Sequence, residues 1–453
     1  MKNLCFRVKF LWVWLILAWV SVNGYTDEKP TNIVLIMADD MGYEALSANG
    51  SESCSTPNID RLAASGIRFE NAFANPLCTP SRVKIMTGKY NVRNYTKFGE
   101  LARNQITFAN QLKTAGYKTC IAGKWQLGKE PDAPQHFGFD EALLWQHTST
   151  GRSRQGKKRF DRRFVNPILE RNGKVEEYTK GEYGPQILAD FICKFIRDNK
   201  KKPFLVYYPM ILTHCPFDPT PDSKDWDPKR LGSTTYKGNL NDPQRHFIDM
   251  TAYTDKIVGQ IVAQLEKSGL RENTLVIFTG DNGTDKPIVT KWNGKNVVGG
   301  KGSMSDSGTR VPFVASWPKG IKNPGRVVED LVEFTDLMPT LCDVAKAKLP
   351  DGDPGDGVSL VPILKNKVGE RKKDKVYIWY KGQVIVRNKD YSLLAKANGS
   401  GAFLKKHSGP FNMKILKDNI LSDSEKLIKD GFMNTLVRLG KCRKEEQKKA
   451  KKK

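Results

Sequence analysis

Apolar positions along this chain follow two alternating rhythms. Residues 32–38 (NIVLIMA) form an unbroken branched-aliphatic run that stops at Asp39 and Asp40, as a strand buried on both faces requires. Residues 57–66 begin with Pro57, end with Gly66 and place Ile59, Leu62 and Ala63 at helical spacing. The exchange then recurs. A helix is expected over 108–115 before a strand over 117–122, and a helix over 187–196 before a strand over 204–208. A long helix over 244–265 precedes a strand over 274–279. Such alternation predicts an α/β fold, a large and mostly parallel sheet sandwiched by helices.

The rhythm changes after a helical segment over 334–345. Residues 346–375 are rich in Gly, Pro and charge, as at a domain boundary. Short strand-like runs over 376–380, 383–387 and 391–395 predict a small antiparallel sheet. The expected division is a main domain over 25–370, a small C-terminal α+β subdomain over 371–440, and a basic tail over 441–453. The tail has no apolar periodicity, so disorder is expected there.

Charge and cysteines refine this picture. Lys2, Arg7 and Lys9 precede an apolar run over 10–20 that is too short to span a bilayer, and Val22, Asn23 and Gly24 follow. This predicts a signal peptide over 1–24 and a periplasmic or secreted protein without stable membrane insertion. The formal charge is +25. Part of it lies in the tail and part in residues 151–164 (GRSRQGKKRFDRRF), both of which would attract polyanions. Nucleic acid is not the expected polyanion, because zinc-finger spacing, heptads and RNP-like aromatics are all missing from the sequence. Cys54, Cys120, Cys193, Cys215, Cys342 and Cys442 either pair or serve as buried thiols, and their scatter contains no C-x-x-C zinc pattern.

Candidate chemistry begins at Cys78, in Leu77-Cys78-Thr79-Pro80-Ser81-Arg82, followed by Met86-Thr87-Gly88. Four fixed positions of C-x-P-S-R would coincide by accident in roughly one chain in a thousand of this length. A buried Cys before a helix explains Pro80 and leaves Ser81 and Arg82 unexplained. Asp39, Asp40, Asp281 and Asn282 follow two buried-strand candidates, at the carboxyl ends where α/β sheets place their sites. Four oxygen-bearing side chains suit a hard cation, Ca2+ before Mg2+.

These motifs resemble the formylglycine-dependent sulfatases of the alkaline phosphatase superfamily. Thr56-Pro57-Asn58, Gly123-Lys124-Trp125, His214-Cys215-Pro216-Phe217, Gly280-Asp281-Asn282-Gly283, Gly300-Lys301-Gly302 and Asp356-Gly357-Val358 occur in the family's order. The resemblance covers roughly residues 30 to 400. It implies an alkaline phosphatase-like fold and hydrolysis of sulfate esters. It also implies that a separate formylglycine-generating enzyme oxidises Cys78 to an aldehyde, whose hydrate offers one hydroxyl to attack sulfur and a second to expel sulfate. By the same resemblance Arg82, Lys124 and Lys301 neutralise and orient the sulfate. His214 faces the leaving group, and a bound divalent metal acidifies the nucleophile.

The chain departs from the family at one position: where many sulfatases read G-K-W-H, it has Gly123-Lys124-Trp125-Gln126. A glutamine cannot accept a proton with useful basicity, though it can orient a diol by hydrogen bonds. Export and excess positive charge point to a sulfated carbohydrate as substrate. Two alternatives share parts of the pattern: a phosphonate or phosphate ester hydrolase of the same superfamily, and a catalytically silent protein that binds sulfated glycans.

Overall fold

The apolar runs form strands and helices in the structure, a computed structural model that describes residues 29–234, 242–367 and 369–451. The expected signal peptide lies outside the described residues. In chain order the strands are β1 (Asn32–Ala38), β2 (Ile67–Phe73), β3 (Lys118–Lys124), β4 (Glu141–Trp145), β5 (Arg152–Gln155), β6 (Lys158–Asp161), β7 (Ile168–Arg171), β8 (Lys174–Glu177), β9 (Phe204–Pro209) and β10 (Thr274–Gly280). They continue with β11 (Val289–Trp292), β12 (Lys295–Val298), β13 (Phe313–Ser316), β14 (Arg326–Glu333), β15 (Val376–Tyr380), β16 (Gln383–Arg387), β17 (Tyr391–Lys396), β18 (Phe403–His407) and β19 (Met413–Ile415).

Ten of them make one sheet, ordered β14-β2-β13-β10-β1-β9-β3-β4-β7-β8. Its centre, from β10 to β4, is parallel. Antiparallel pairs occur only toward the flanks, where β13 meets β10 and β2, and β7 meets β4 and β8. Alternate side chains of β1 explain why helices cover both faces. Ile33, Leu35 and Met37 join one apolar cluster with the helices Cys78–Thr87, Phe108–Thr114 and Leu337–Ala345. Val34, Ile36 and Ala38 join the other, with Pro57–Ala64, Gly184–Asp198 and Pro243–Lys267. Full burial of each such large side chain is worth about 1.5–3 kcal/mol, so β1 anchors the sheet from within.

The small sheet is antiparallel as expected but has five strands, β15 to β19, where the sequence suggested three. In the added pair, β18 is mixed in pattern and β19 is exposed throughout, so neither carries a clear apolar signal. Phe432, Leu436 and Leu439 of the helix Asp423–Lys451 cover Val384, Val386 and Leu393 of this sheet. That helix is described as far as Lys451, and Lys, Glu, Gln and Ala all favour helix. The basic run over 151–164 carries the hairpin β5–β6. Cys54, Cys78, Cys120, Cys193, Cys215 and Cys342 are free thiols, while the side chain of Cys442 lies outside those described.

Candidate active site

Strand register creates the site. β1 and β10 run parallel with Ala38 opposite Gly280, so the residues that follow each strand emerge side by side at one sheet edge. Asp281 N–H donates to the Ala38 carbonyl at 2.9 Å, and Asp40 N–H donates to Asp281 Oδ1 at 3.0 Å. Asn282 Nδ2 donates to Asp40 Oδ1 at 2.8 Å. Asp40 takes a left-handed backbone, φ 62°, a conformation Asp tolerates better than most residues. All four side chains are buried.

Cations arrive from a strand, a helix and a turn. β3 ends at Lys124, whose Nζ lies 2.6 Å from Asp39 Oδ2 and 3.4 Å from Cys78 Sγ. Cys78 opens the helix Cys78–Thr87, and one turn later Arg82 donates to Asp281 Oδ2 at 3.1 Å and to the Lys124 carbonyl at 2.9 Å. Lys301 Nζ sits 2.5 Å from Asp40 Oδ2 and 3.0 Å from His214 Nε2. Three carboxylates thus face three cations in a dry environment.

The electrostatics follow from that crowding. Burial alone would raise the Asp39 carboxyl, yet Lys124 and, after it, Arg82 and Lys301 hold it well below the usual range. Asp281 is pushed well above its ordinary value by burial and then by Asp39, against the pull of Arg82. Burial, followed by Lys124 and Lys301, keeps His214 neutral far below its usual pKa. The Cys78 thiol is driven well above its ordinary pKa by burial and then by Asp39.

The donor set fits a hard divalent cation. Asp39 Oδ1 and Asn282 Oδ1 are buried without a hydrogen-bond partner, and both are oxygens next to Asp40 and Asp281. One ligand atom from each of Asp39, Asp40, Cys78 and His214 can be drawn within 4.8 Å of the others. A divalent ion added to three carboxylates and three cations would leave the cluster net positive, as an anionic ligand needs.

Above the cluster opens a cavity of about 470 Å³, lined on its floor by Cys78, Lys124, Gln126, His214 and Lys301. Arg82 does not line it and lies beneath. Gln126 has a left-handed backbone, φ 53°, and accepts from Thr79 Oγ1 at 3.1 Å. Of the histidines only His214 lines the cavity. His147 is held by Glu170 at 2.7 Å and by the Glu130 carbonyl at 2.8 Å, and His136 by the Arg103 carbonyl at 2.7 Å. The cavity wall adds Phe98, Trp145 and Arg163, which the sequence did not single out. Arg163 stacks on Trp145 with its guanidinium carbon 4.0 Å from the ring centre, and its Nη1 lies 2.9 Å from His214 Nδ1. Only the basic run around Arg163 hinted at this wall.

Residues 31–347 match the family model described as Sulfatase, and residues 298–397 the one described as N-sulphoglucosamine sulphohydrolase, C-terminal. N-acetylgalactosamine-6-sulfatase of Mus musculus is 30% identical over 405 residues, covering 82% of this chain and 73% of that protein. Arylsulfatase A of Bos taurus is 32% identical over 370 residues, covering 75% and 69%. The crystal structure of Ps i-CgsB, also solved in complex with k-i-k-neocarrahexaose, superposes with a TM-score of 0.73 at 26% identity. It covers 92% of this chain and 94% of that one.

Proposed function

This chain belongs to the sulfatase family and is a sulfuric ester hydrolase, and from that premise we propose that it removes sulfate from a carbohydrate, using an oxidised Cys78 beside a bound Ca2+. The observation that carries the reading is the convergence of Cys78, Lys124, Lys301 and His214 on one cavity floor above buried carboxylates.

Asp39, Asp40, Asp281 and Asn282 would hold the metal, which when bound offsets charge on sulfate oxygens and acidifies the attacking hydroxyl. Lys124 and Lys301 bind and orient the sulfate from two sides. Arg82 acts through its partners, fixing Asp281 and the end of β3 that presents Lys124. His214 and Lys301 share a contact at His214 Nε2, so the pair offers a proton to the leaving oxygen. A buried thiol as hard to ionise as Cys78 is a weak nucleophile, which supports oxidation to formylglycine by a maturing enzyme.

Several features support a carbohydrate. Phe98, about half exposed, stands at the cavity rim as an apolar face for a sugar ring, and the basic hairpin suits a polyanion. Relatives named for sulfated amino sugars point the same way. We place the catalytic domain at 25–370 and a small subdomain at 371–440, and the protein in the periplasm or outside the cell. Among the described residues no helix is long and apolar enough to cross a membrane. The test compares the matured enzyme on a sulfated sugar, a phosphate monoester and a phosphate diester. Preferred turnover of the sulfate ester is expected; a preferred phosphate ester would overturn the reading.

A further inference from the structure

The cavity that Cys78 lines also carries charge that hydrolysis of a single sulfate ester does not use. In the hairpin β5–β6, Arg152 pairs with Asp161 and Arg154 with Arg159 across the strands. Side chains alternate along a strand, so these four share one face. The hairpin from 152 to 161 holds Arg152, Arg154, Lys157, Lys158 and Arg159 against the single acid Asp161. Like charges directly opposite across a ladder are destabilising, so Arg154 and Arg159 weaken the hairpin they sit in.

The one acid is already committed. Asp161 binds Arg163 through two contacts, at 3.0 and 2.9 Å, and lies 3.7 Å from Arg152. Lys124 and Lys301 answer to Asp39 and Asp40. Arg159 lines the cavity and has no ion-pair partner among the described residues. The base of the hairpin is fixed in place. Gly151 has a left-handed φ of 64°, and a Cβ there would fall 2.1 Å from Trp145 Nε1. At the other end Asp161 bridges to Ser233.

We infer that Arg152 and Arg159 form a second anion subsite, so that the preferred substrate carries another sulfate or a carboxylate beside the ester sulfate that is cleaved. This rests on the carbohydrate sulfatase reading and narrows it to substrates with at least two negative groups. Hydrogen bonds to ionised groups are worth about 10- to 100-fold in affinity each.

The experiment uses three oligosaccharides of equal length: one with a single ester sulfate, one with a second sulfate on the neighbouring sugar, and one with a uronate carboxylate there. The matured wild-type enzyme should show kcat/KM at least about tenfold higher for one or both doubly charged sugars. Which of them gains identifies the second group. In Arg152→Ser/Arg159→Ser that ratio should fall toward one, and Arg159→Lys should restore part of it. Calorimetric binding of the same sugars to Cys78→Ala reads the preference without turnover, so failure of sulfate hydrolysis is separable from failure of the subsite. A wild-type ratio near one, or equal losses on all three sugars in the double variant, would overturn the inference.

Discussion

Lys124 Nζ stands 3.4 Å from Cys78 Sγ while holding Asp39 Oδ2 at 2.6 Å, so one buried cation touches both the thiol and a buried carboxylate. The thiol is a poor nucleophile in that setting, because burial and then Asp39 oppose its ionisation. Activity should therefore scale with the fraction of residue 78 converted to the aldehyde, measured by mass spectrometry on the tryptic peptide covering 69–82. Cys78→Ser should accept one sulfate and stall, since serine lacks the second hydroxyl needed to expel it. Full activity with unmodified Cys78 would refute the mechanism.

The two partnerless oxygens, Asp39 Oδ1 and Asn282 Oδ1, predict one divalent ion per chain by elemental analysis, calcium ahead of magnesium. Chelation should abolish turnover. Asn282→Leu keeps the volume and removes one oxygen, and should weaken metal affinity by at least about tenfold. Full-rate turnover by enzyme shown to be metal-free would sink the ligand assignment.

Behind the helix Cys78–Thr87 lies a second buried charge cluster with a structural consequence. Lys84 pairs with Glu333, which also holds Lys373 at 2.8 Å, while Lys373 and Arg371 bind Asp336 at 2.7 and 2.8 Å. Lys84 Nζ also donates to the Tyr377 carbonyl of β15 at 2.8 Å, tying this helix to the small sheet. Removing one member strands its partners in a dry interior, so Glu333→Leu should cost about 3–5 kcal/mol in urea unfolding. Lys84→Met/Glu333→Leu should recover part of that loss. A single variant as stable as wild type would show that water reaches the cluster.

The centre of the fold was legible because its chemistry is local. β1 and β10 are continuous apolar runs, and each stops at the polar pair that enters the site, so strand and site shared one signal. The flanks were not legible in the same way. Nothing in Lys174–Glu177 announces a sheet edge, and the hairpin β5–β6 is so charged that its pattern reads as a loop. At the site, Lys124, Lys301 and His214 stood out only through short motifs. Their meeting depends on register between strands far apart in sequence, as does the stacking of Arg163 on Trp145. A pairwise contact of that kind leaves no period in either segment.

His407 gives the stability a pH dependence of known sign. Burial, and then Arg387, lower its pKa to about 4 from the ordinary value near 6.5, while Nε2 lies 2.8 Å from Ser392 Oγ. The unfolded chain takes up this proton at higher pH than the folded one. The contribution is therefore complete above about pH 6.5 and is lost as pH falls toward 4. Urea midpoints measured between pH 7 and pH 4.5 should decline in the wild type and decline less in His407→Gln. Equal slopes in both proteins would remove His407 from the account.

Gln126 stands where many family members carry a histidine, and among the described residues neither His136 nor His147 takes that place. Its Oε1 accepts from Thr79 Oγ1 at 3.1 Å, and Thr79 Oγ1 in turn accepts from Gly99 N–H at 3.2 Å, so the amide is held at the cavity floor beside Cys78. His147 is locked between Glu170 and the Glu130 carbonyl, and His136 lies on the Arg103 carbonyl, so neither lines the cavity. An amide there can orient a hydroxyl but cannot take its proton. Attack on sulfur does not need that proton acceptor, whereas expulsion of sulfate does. A well-placed base contributes about 10²- to 10⁴-fold, so the second step should limit turnover. With a good leaving group, pre-steady-state kinetics should show a burst of about one equivalent of alcohol per formylglycine site, followed by a slower steady rate. Gln126→His should shrink the burst by speeding the slow step, and a sulfated enzyme should accumulate in the wild type and not in the variant. Linear alcohol release from the first turnover, with no sulfated protein detectable by mass spectrometry, would mean that another group at this site removes the proton.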